Sequence, residues 1–530
     1  MRQDQKRAFA VKQSLQRRRK LYLLLSPFFL ISLIFAAIQL NASIGANNSQ
    51  ITVQIGRQQT ATLDLRQHTP ISPYLYGVNV FPRDGSTSLD MPFSGFMQYT
   101  PYFIKTIQDM HIKLLRYPGG NWGEQHILSL SQLSDFSQTL IETGSEGMLQ
   151  AHLAGPVQDQ QGNWQPSELS ANLNSRALLA SRWVDYMNNP HSSLRTGAHA
   201  HDPYHPVKFW TVGNEPDLST DPLTQQVYTV TDYVNAFIQF SLAMHQSDPT
   251  IKIFGPEISQ FYGVGAGPVD AQGQRWMDDF LKGIARYEQL HPALPYHILD
   301  GVSFHRYQFD NAQVAPGILL SSSNEWGSLL TPLRELIKRD FGRDLPISLS
   351  EVNTNPGDLV PTRGLAALWW ANTLGGLMNQ QIEQVAFFSA SGVEKPYPLF
   401  TNDGLHMTAM AWVMQLFSHL QHNLVPLSIP NEPVSVYATC DDTAQTISFL
   451  FINTSPLAQE AQIRPAAFSA WHYQAIRLAP YSIIITTMHR ESGAESYRFI
   501  TTSGDAVAAT PVTYTRCETS NAIPANDKPC

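Results

Sequence analysis

Cysteine is nearly absent from this chain. Three residues in 530, Cys440, Cys517 and Cys530, are too few for a disulfide framework and lack the paired spacing of a zinc site. Cys517 and Cys530 flank a polar tail and could pair in an oxidising compartment. Charge is also scarce, at 15% of residues against 43% hydrophobic, which excludes wholesale disorder. There is no sequence repeat of fixed period and no phosphate-binding loop. The run Gly263-Val264-Gly265-Ala266-Gly267 lacks the Lys and helix context of one and reads as a cleft loop. Net positive charge is confined to the start of the chain. The first 20 residues hold eight basic side chains against Asp4, a balance of +7, so a net charge of −8 leaves −15 on the remainder. An acidic body repels nucleic acid and sulfated polysaccharide, and no nucleic-acid partner is expected.

One long apolar run is present, from Leu21 to Leu40, with no charge inside it. About 20 apolar residues can cross a bilayer, and the basic flank predicts a cytoplasmic N-terminus. The expectation is a basic segment over 1–20, one transmembrane helix over 21–40, and a body on the outer side of the cell membrane. A cleaved signal peptide is the alternative, which would leave the body secreted. Residues 41–50 read as a linker, with two Asn-x-Ser acceptors, Asn41 and Asn47, where the second reads Asn47-Asn48-Ser49 and matters, like the first, only in a glycosylating host.

Beyond it the chain alternates short β-rich runs with amphipathic stretches. Eight strand candidates are Tyr74–Val78, Leu114–Tyr117, Met148–Leu153, Val207–Val212, Lys252–Gly255, Gly301–His305, Ile347–Ser350 and Gln384–Phe388. Each is short, apolar and bounded by Gly, Pro or polar residues, as buried parallel strands are. Helical periodicity lies between them at Phe96–Met110, Leu173–Met187, Asp232–His245, Trp276–Leu290, Trp326–Phe341, Leu365–Met378 and Met407–Leu420. Eight β/α units in series predict an α/β fold, a closed TIM (β/α)₈ barrel over 67–422. From about Asn423 the pattern turns to antiparallel strands, predicting a small β-sandwich over 423–500 with one strand supplied by 51–66. Residues 501–530, rich in Thr, Ser and Ala, read as a loose tail.

Catalytic groups of a barrel stand where its strands end. Two carboxylates do so: Glu215, in Val212-Gly213-Asn214-Glu215-Pro216 after strand four, and Glu351, ending Ile347-Ser348-Leu349-Ser350-Glu351 as strand seven. A lone Glu after a strand is usually a solvated loop residue. A pair at these two strand ends is far more specific. Paired carboxyl groups are what retaining hydrolysis of a glycosidic bond needs: one gives a proton to the leaving oxygen and the other attacks the anomeric carbon.

This arrangement resembles glycoside hydrolase clan A, with the best local match to α-L-arabinofuranosidases and their β-xylosidase-like and heparanase-like relatives, over roughly residues 71 to 420. The matching segments are Arg116-Tyr117-Pro118-Gly119-Gly120-Asn121-Trp122, Asn214-Glu215-Pro216, Ser247-Asp248-Pro249 before strand five, and His305-Arg306-Tyr307. The resemblance implies a retaining O-glycosidase using Glu215 as acid/base and Glu351 as nucleophile. It implies Asn214 on the sugar 2-hydroxyl, Arg116 and Tyr307 donating to Glu351, and Asn121 and His305 lining the pocket. It implies a carbohydrate substrate, with no cofactor and no metal. The loop after strand one, Gly77 to Pro82, lacks the Glu that reads arabinose, which leaves the sugar open. A binding-only barrel and a transglycosylase using the same carboxylates are the alternatives.

Trp122, after the Gly-Gly turn, is a candidate sugar platform, whereas Trp369 and Trp370 sit mid-helix as packing residues. His199, His201 and His205 resemble a metal cluster but precede strand four, on the face away from the site. Glu257, after strand five, could reach the cleft or stand in a solvated loop.

Overall fold

A computed structural model describes residues 49–500, apart from short segments of which the longest lie within 154–171, and the strand Thr513–Cys517. The expected membrane segment over 21–40 and the basic segment before it lie outside the described residues. Among those described, no helix is long and apolar enough to cross a membrane.

Eight parallel strands close into a barrel in chain order: Gly77–Asn79, Leu114–Tyr117, Glu146–Ala151, Phe209–Val212, Lys252–Ile258, Gly301–Tyr307, Ile347–Asn353 and Gln384–Phe387. These are barrel strands one to eight. Their residues are almost all buried, as strands between an inner core and an outer helical ring must be. Strand one differs from expectation. Pro73 to Leu75 form a short 3-10 turn capped by Ser72, and the strand begins only at Gly77. Strands five and seven run further than predicted, and the extra residues carry the site.

The helix Leu130–Thr143 is not among the expected ones. Its signal is local: Ser129 and Gln132 form a capping box, and Gly144 ends it in the left-handed conformation. The expected helix Phe96–Met110 begins instead at Pro101, capped by Thr100.

The second domain is a β-sandwich, and 50–64 gives it a whole hairpin rather than one strand. Gln50–Ile55 and Gln59–Asp64 join Gln459–Pro465 and Gln474–Leu478 in one sheet. The other sheet has seven strands, and Thr513–Cys517 pairs at its edge with Gly493–Ile500, so the tail is not wholly loose. Strand Thr446–Asn453 is buried on both faces. Phe449 and Phe451 enter the sandwich core, while Leu450 and Ile452 face the barrel. There the helix Arg363–Asn379 closes on the sheet, and a Cβ on Gly375 would lie 2.4 Å from the Tyr437 ring.

Candidate active site

The site stands at the C-terminal mouth of the barrel, and Arg116 of strand two is its hub. The guanidinium is fully buried. Nη1 donates to Glu351 (2.8 Å) and Asn79 (2.7 Å), and Nη2 donates to Glu257 (2.7 Å) and Asn214 (2.9 Å). A planar fork joins four strands in this way, as a point-like ammonium does not. Asn79, from strand one, also donates its amide to the Ser350 carbonyl (2.9 Å), tying strand one to strand seven.

Glu351 is buried in strand seven. One oxygen takes the Arg116 bond and the other takes the Tyr307 hydroxyl at 2.7 Å. Burial, then the negative charge of Glu351 and Glu215, pushes the Tyr307 phenol up, so it stays a donor. The Pro-Gly-Gly turn runs directly beside this carboxyl. Gly120 has φ +58°, and a Cβ there would press on the Phe388 ring at 3.0 Å and face Glu351 Oε1 at 3.6 Å.

Glu215 lies three residues past strand four, with its side chain 14% exposed toward the cleft. It too has a left-handed backbone, φ +46°. Its N–H donates to the Glu257 carbonyl at 3.0 Å, and the His305 Nδ1–H donates to its carboxyl at 3.0 Å. One atom each of Glu215, Glu351 and His305 lie within 4.8 Å of one another. Two carboxylates and a histidine at that spacing could in principle hold a cation. However, Nδ1 of His305 points at Glu215 and Nε2 at Glu257, so both nitrogens serve carboxylates. Burial opposes charge on the ring, but Glu351, Glu215 and Glu257 outweigh it and push the ring up to about 10.

The structure brings together Glu215, Glu351, Asn214, Arg116, His305 and Tyr307. Asn121 stands exposed at the rim, where its side chain accepts from the Asn214 amide at 2.9 Å. Trp122 differs from expectation: it opens a short helix, is 7% exposed, and donates its indole N–H to the Ser94 carbonyl, so it offers little face to a ligand. Trp369 and Trp370 are core. His199 pairs with Asp202 at 2.8 Å ahead of strand four.

Glu257 is no solvated loop residue. It is fully buried within strand five and bonded to Arg116, to His305 and to the Ser350 hydroxyl (2.7 Å). Two β-bulges put it there. The register of strands five and six slips at Glu257, and that of six and seven slips at Ser350. Each bulge re-aims a side chain, and the two bulged residues meet. The sequence signal was its place just past the expected end of strand five, beside Gly255-Pro256.

No family model matches the chain, and no curated protein matches it. Solved structures do. A Paenibacillus polymyxa xyloglucanase of glycoside hydrolase family 44 aligns with a TM-score of 0.54 at 13% identity, covering 83% of this chain and 99% of that one. The family 51 arabinofuranosidase of Xanthomonas axonopodis pv. citri gives 0.58 at 12% identity, covering 83% and 99%. The family 51 α-L-arabinofuranosidase AbfB of Bifidobacterium longum gives 0.57 at 14%, covering 79% and 97%. The chain shares its fold with these glycoside hydrolases. The barrel and its appended sandwich are therefore as expected from the sequence, and such likeness speaks for fold alone.

Proposed function

We propose that the chain is a retaining glycoside hydrolase that cleaves O-glycosidic bonds of a poly- or oligosaccharide by double displacement. The observation that carries this reading is the approach of Glu215 and Glu351 within 4.8 Å across the barrel mouth. Retaining enzymes hold their carboxyl groups about 5–5.5 Å apart, and inverting ones about 6.5–9.5 Å, with room for a water between.

In the first step Glu351 attacks the anomeric carbon and the bond to the leaving oxygen breaks, with Glu215 giving that oxygen its proton. The product is a glycosyl ester on Glu351. In the second step Glu215 takes a proton from water, whose oxygen attacks the same carbon and releases Glu351. Arg116 and Tyr307 fix both Glu351 oxygens, so attack starts from one orientation. Asn214, steadied by Arg116 and Asn121, is set to meet the sugar 2-hydroxyl.

From the basic and apolar N-terminal segments we also propose that the barrel stands on the outer side of the cell membrane, or is secreted if the apolar segment is cleaved. Mass spectrometry of the mature N-terminus would show whether the apolar segment is retained. The function is tested by screening the full-length protein on a panel of aryl glycosides, with proton NMR of the first-formed anomer. Turnover with retention is expected. Turnover with inversion, or none across a broad panel, would overturn the reading.

A further inference from the structure

Double displacement uses two carboxyls, yet a third lies beneath them. Glu257 shares each of the site's two cations with a catalytic carboxyl. Arg116 bridges it to Glu351, and His305 bridges it to Glu215, Nε2 lying 3.4 Å from Glu257 and Nδ1 3.0 Å from Glu215. Its left-handed backbone, φ +59°, is a conformation that a non-glycine residue adopts at a cost. That cost is borne in a bulge which turns the carboxyl into the barrel, while the carbonyl of the same residue takes the Glu215 N–H.

We propose that Glu257 is a positioning residue that clamps Arg116 and His305 from beneath and thereby holds both cations, charged, against the two carboxyls at the cleft. The inference rests on the glycosidase reading for its consequence and on geometry for its substance. Three carboxyls, Glu215, Glu257 and Glu351, face two cations, Arg116 and His305, so a neutral cluster needs one proton among the carboxyls. Arg116, with His305 after it, overcomes the effect of burial and holds Glu257 down to about 2, so the proton is not there. The charged and titratable groups that face it or its two cations are Arg116 on strand two, Glu215 beyond strand four, His305 and Tyr307 on strand six, Glu351 on strand seven, and the Tyr233 phenol on the helix Val230–Ser247. Only Arg116 and His305 are cationic, and both touch Glu257.

Loss of the Glu257 charge therefore acts through His305. A full charge 3.4 Å from the ring is worth at least about two pH units even in a well-screened protein environment. The experiment uses full-length protein carrying ring-labelled histidine, with the His305 signal identified by its loss in His305→Gln. At pH 8 the ring is expected to be charged in the wild type and at least half neutral in Glu257→Gln. A neutral ring in the wild type, or an unmoved ring in Glu257→Gln, overturns the proposal, and neither result depends on turnover. Where the wild type turns over an aryl glycoside, the alkaline limb of kcat/KM in Glu257→Gln should move from its wild-type position together with the ring midpoint. A lower kcat with an unmoved limb would mark a merely structural counter-ion. Should Glu257→Gln fail to fold, Glu257→Asp draws the charge back by one methylene. The ring midpoint is then expected to drop by about half a pH unit or more, and an unmoved midpoint is the contrary result.

Discussion

Replacing Arg116 with Lys tests whether the site depends on a fork or merely on a positive charge. The guanidinium satisfies four acceptors at 2.7–2.9 Å through two separate nitrogens. An ammonium has three protons on one atom, so at least one acceptor loses its donor. Each is buried, and two are carboxylates, for which a lost hydrogen bond costs about 1.5–3 kcal/mol. At 1.36 kcal/mol per tenfold, the floor is a loss of about 10-fold to about 150-fold in kcat/KM if the orphan is Glu351 or Asn214. If the orphan is Glu257, the same energy is lost from stability. Steady-state kinetics on an aryl glycoside and urea unfolding, run on the same preparations, read both quantities. A Lys variant within about threefold of wild-type kcat/KM and unchanged in stability would refute the reasoning, since charge alone would then suffice.

Glu215→Ala should cripple turnover by removing the proton donor, and azide should partly restore it by attacking the glycosyl ester on Glu351, giving a glycosyl azide of retained configuration. No rescue, even with an activated leaving group, would count against the assignment. Stability should also depend on pH at both ends. The Glu257 carboxyl is depressed to about 2, so its contribution is complete above about pH 4.5 and is lost as pH falls toward 2. The His305 ring is raised to about 10, so its contribution is complete below about pH 6.5 and is lost as pH rises toward 10. Thermal midpoints across pH should therefore separate wild type from Glu257→Gln by a margin that shrinks below pH 4.5, and a constant margin would contradict the linkage.

The fold was legible because buried parallel strands announce themselves as short apolar runs between breakers. So were the acid/base and nucleophile candidates, since Glu215 and Glu351 each come at the end of such a run. Glu257 was not. Gly255-Pro256 looks like the end of a strand, and only the closed barrel carries Arg116 across to meet the carboxyl beyond it. The stretch Gly77 to Pro82 stood out only for lacking a glutamate, and the hold of its Asn79 on Arg116 emerges only when strands one, two and seven are neighbours. Trp122 misled for a related reason: a ring after a glycine turn has no periodicity to say which way it faces. The helix Leu130–Thr143 was missed, although its apolar face, capping box and terminal glycine were there to be read.

The most direct measurement is to trap the covalent intermediate. An activated 2-deoxy-2-fluoro glycoside of the sugar found by the aryl glycoside screen should slow the second step and let the glycosyl ester accumulate. Intact mass should then rise by one fluoroglycosyl unit, peptide mapping should place it on Glu351, and Glu351→Gln should take up none. A label on any other carboxyl, or turnover with no trapped ester and an inverted product, would contradict the account.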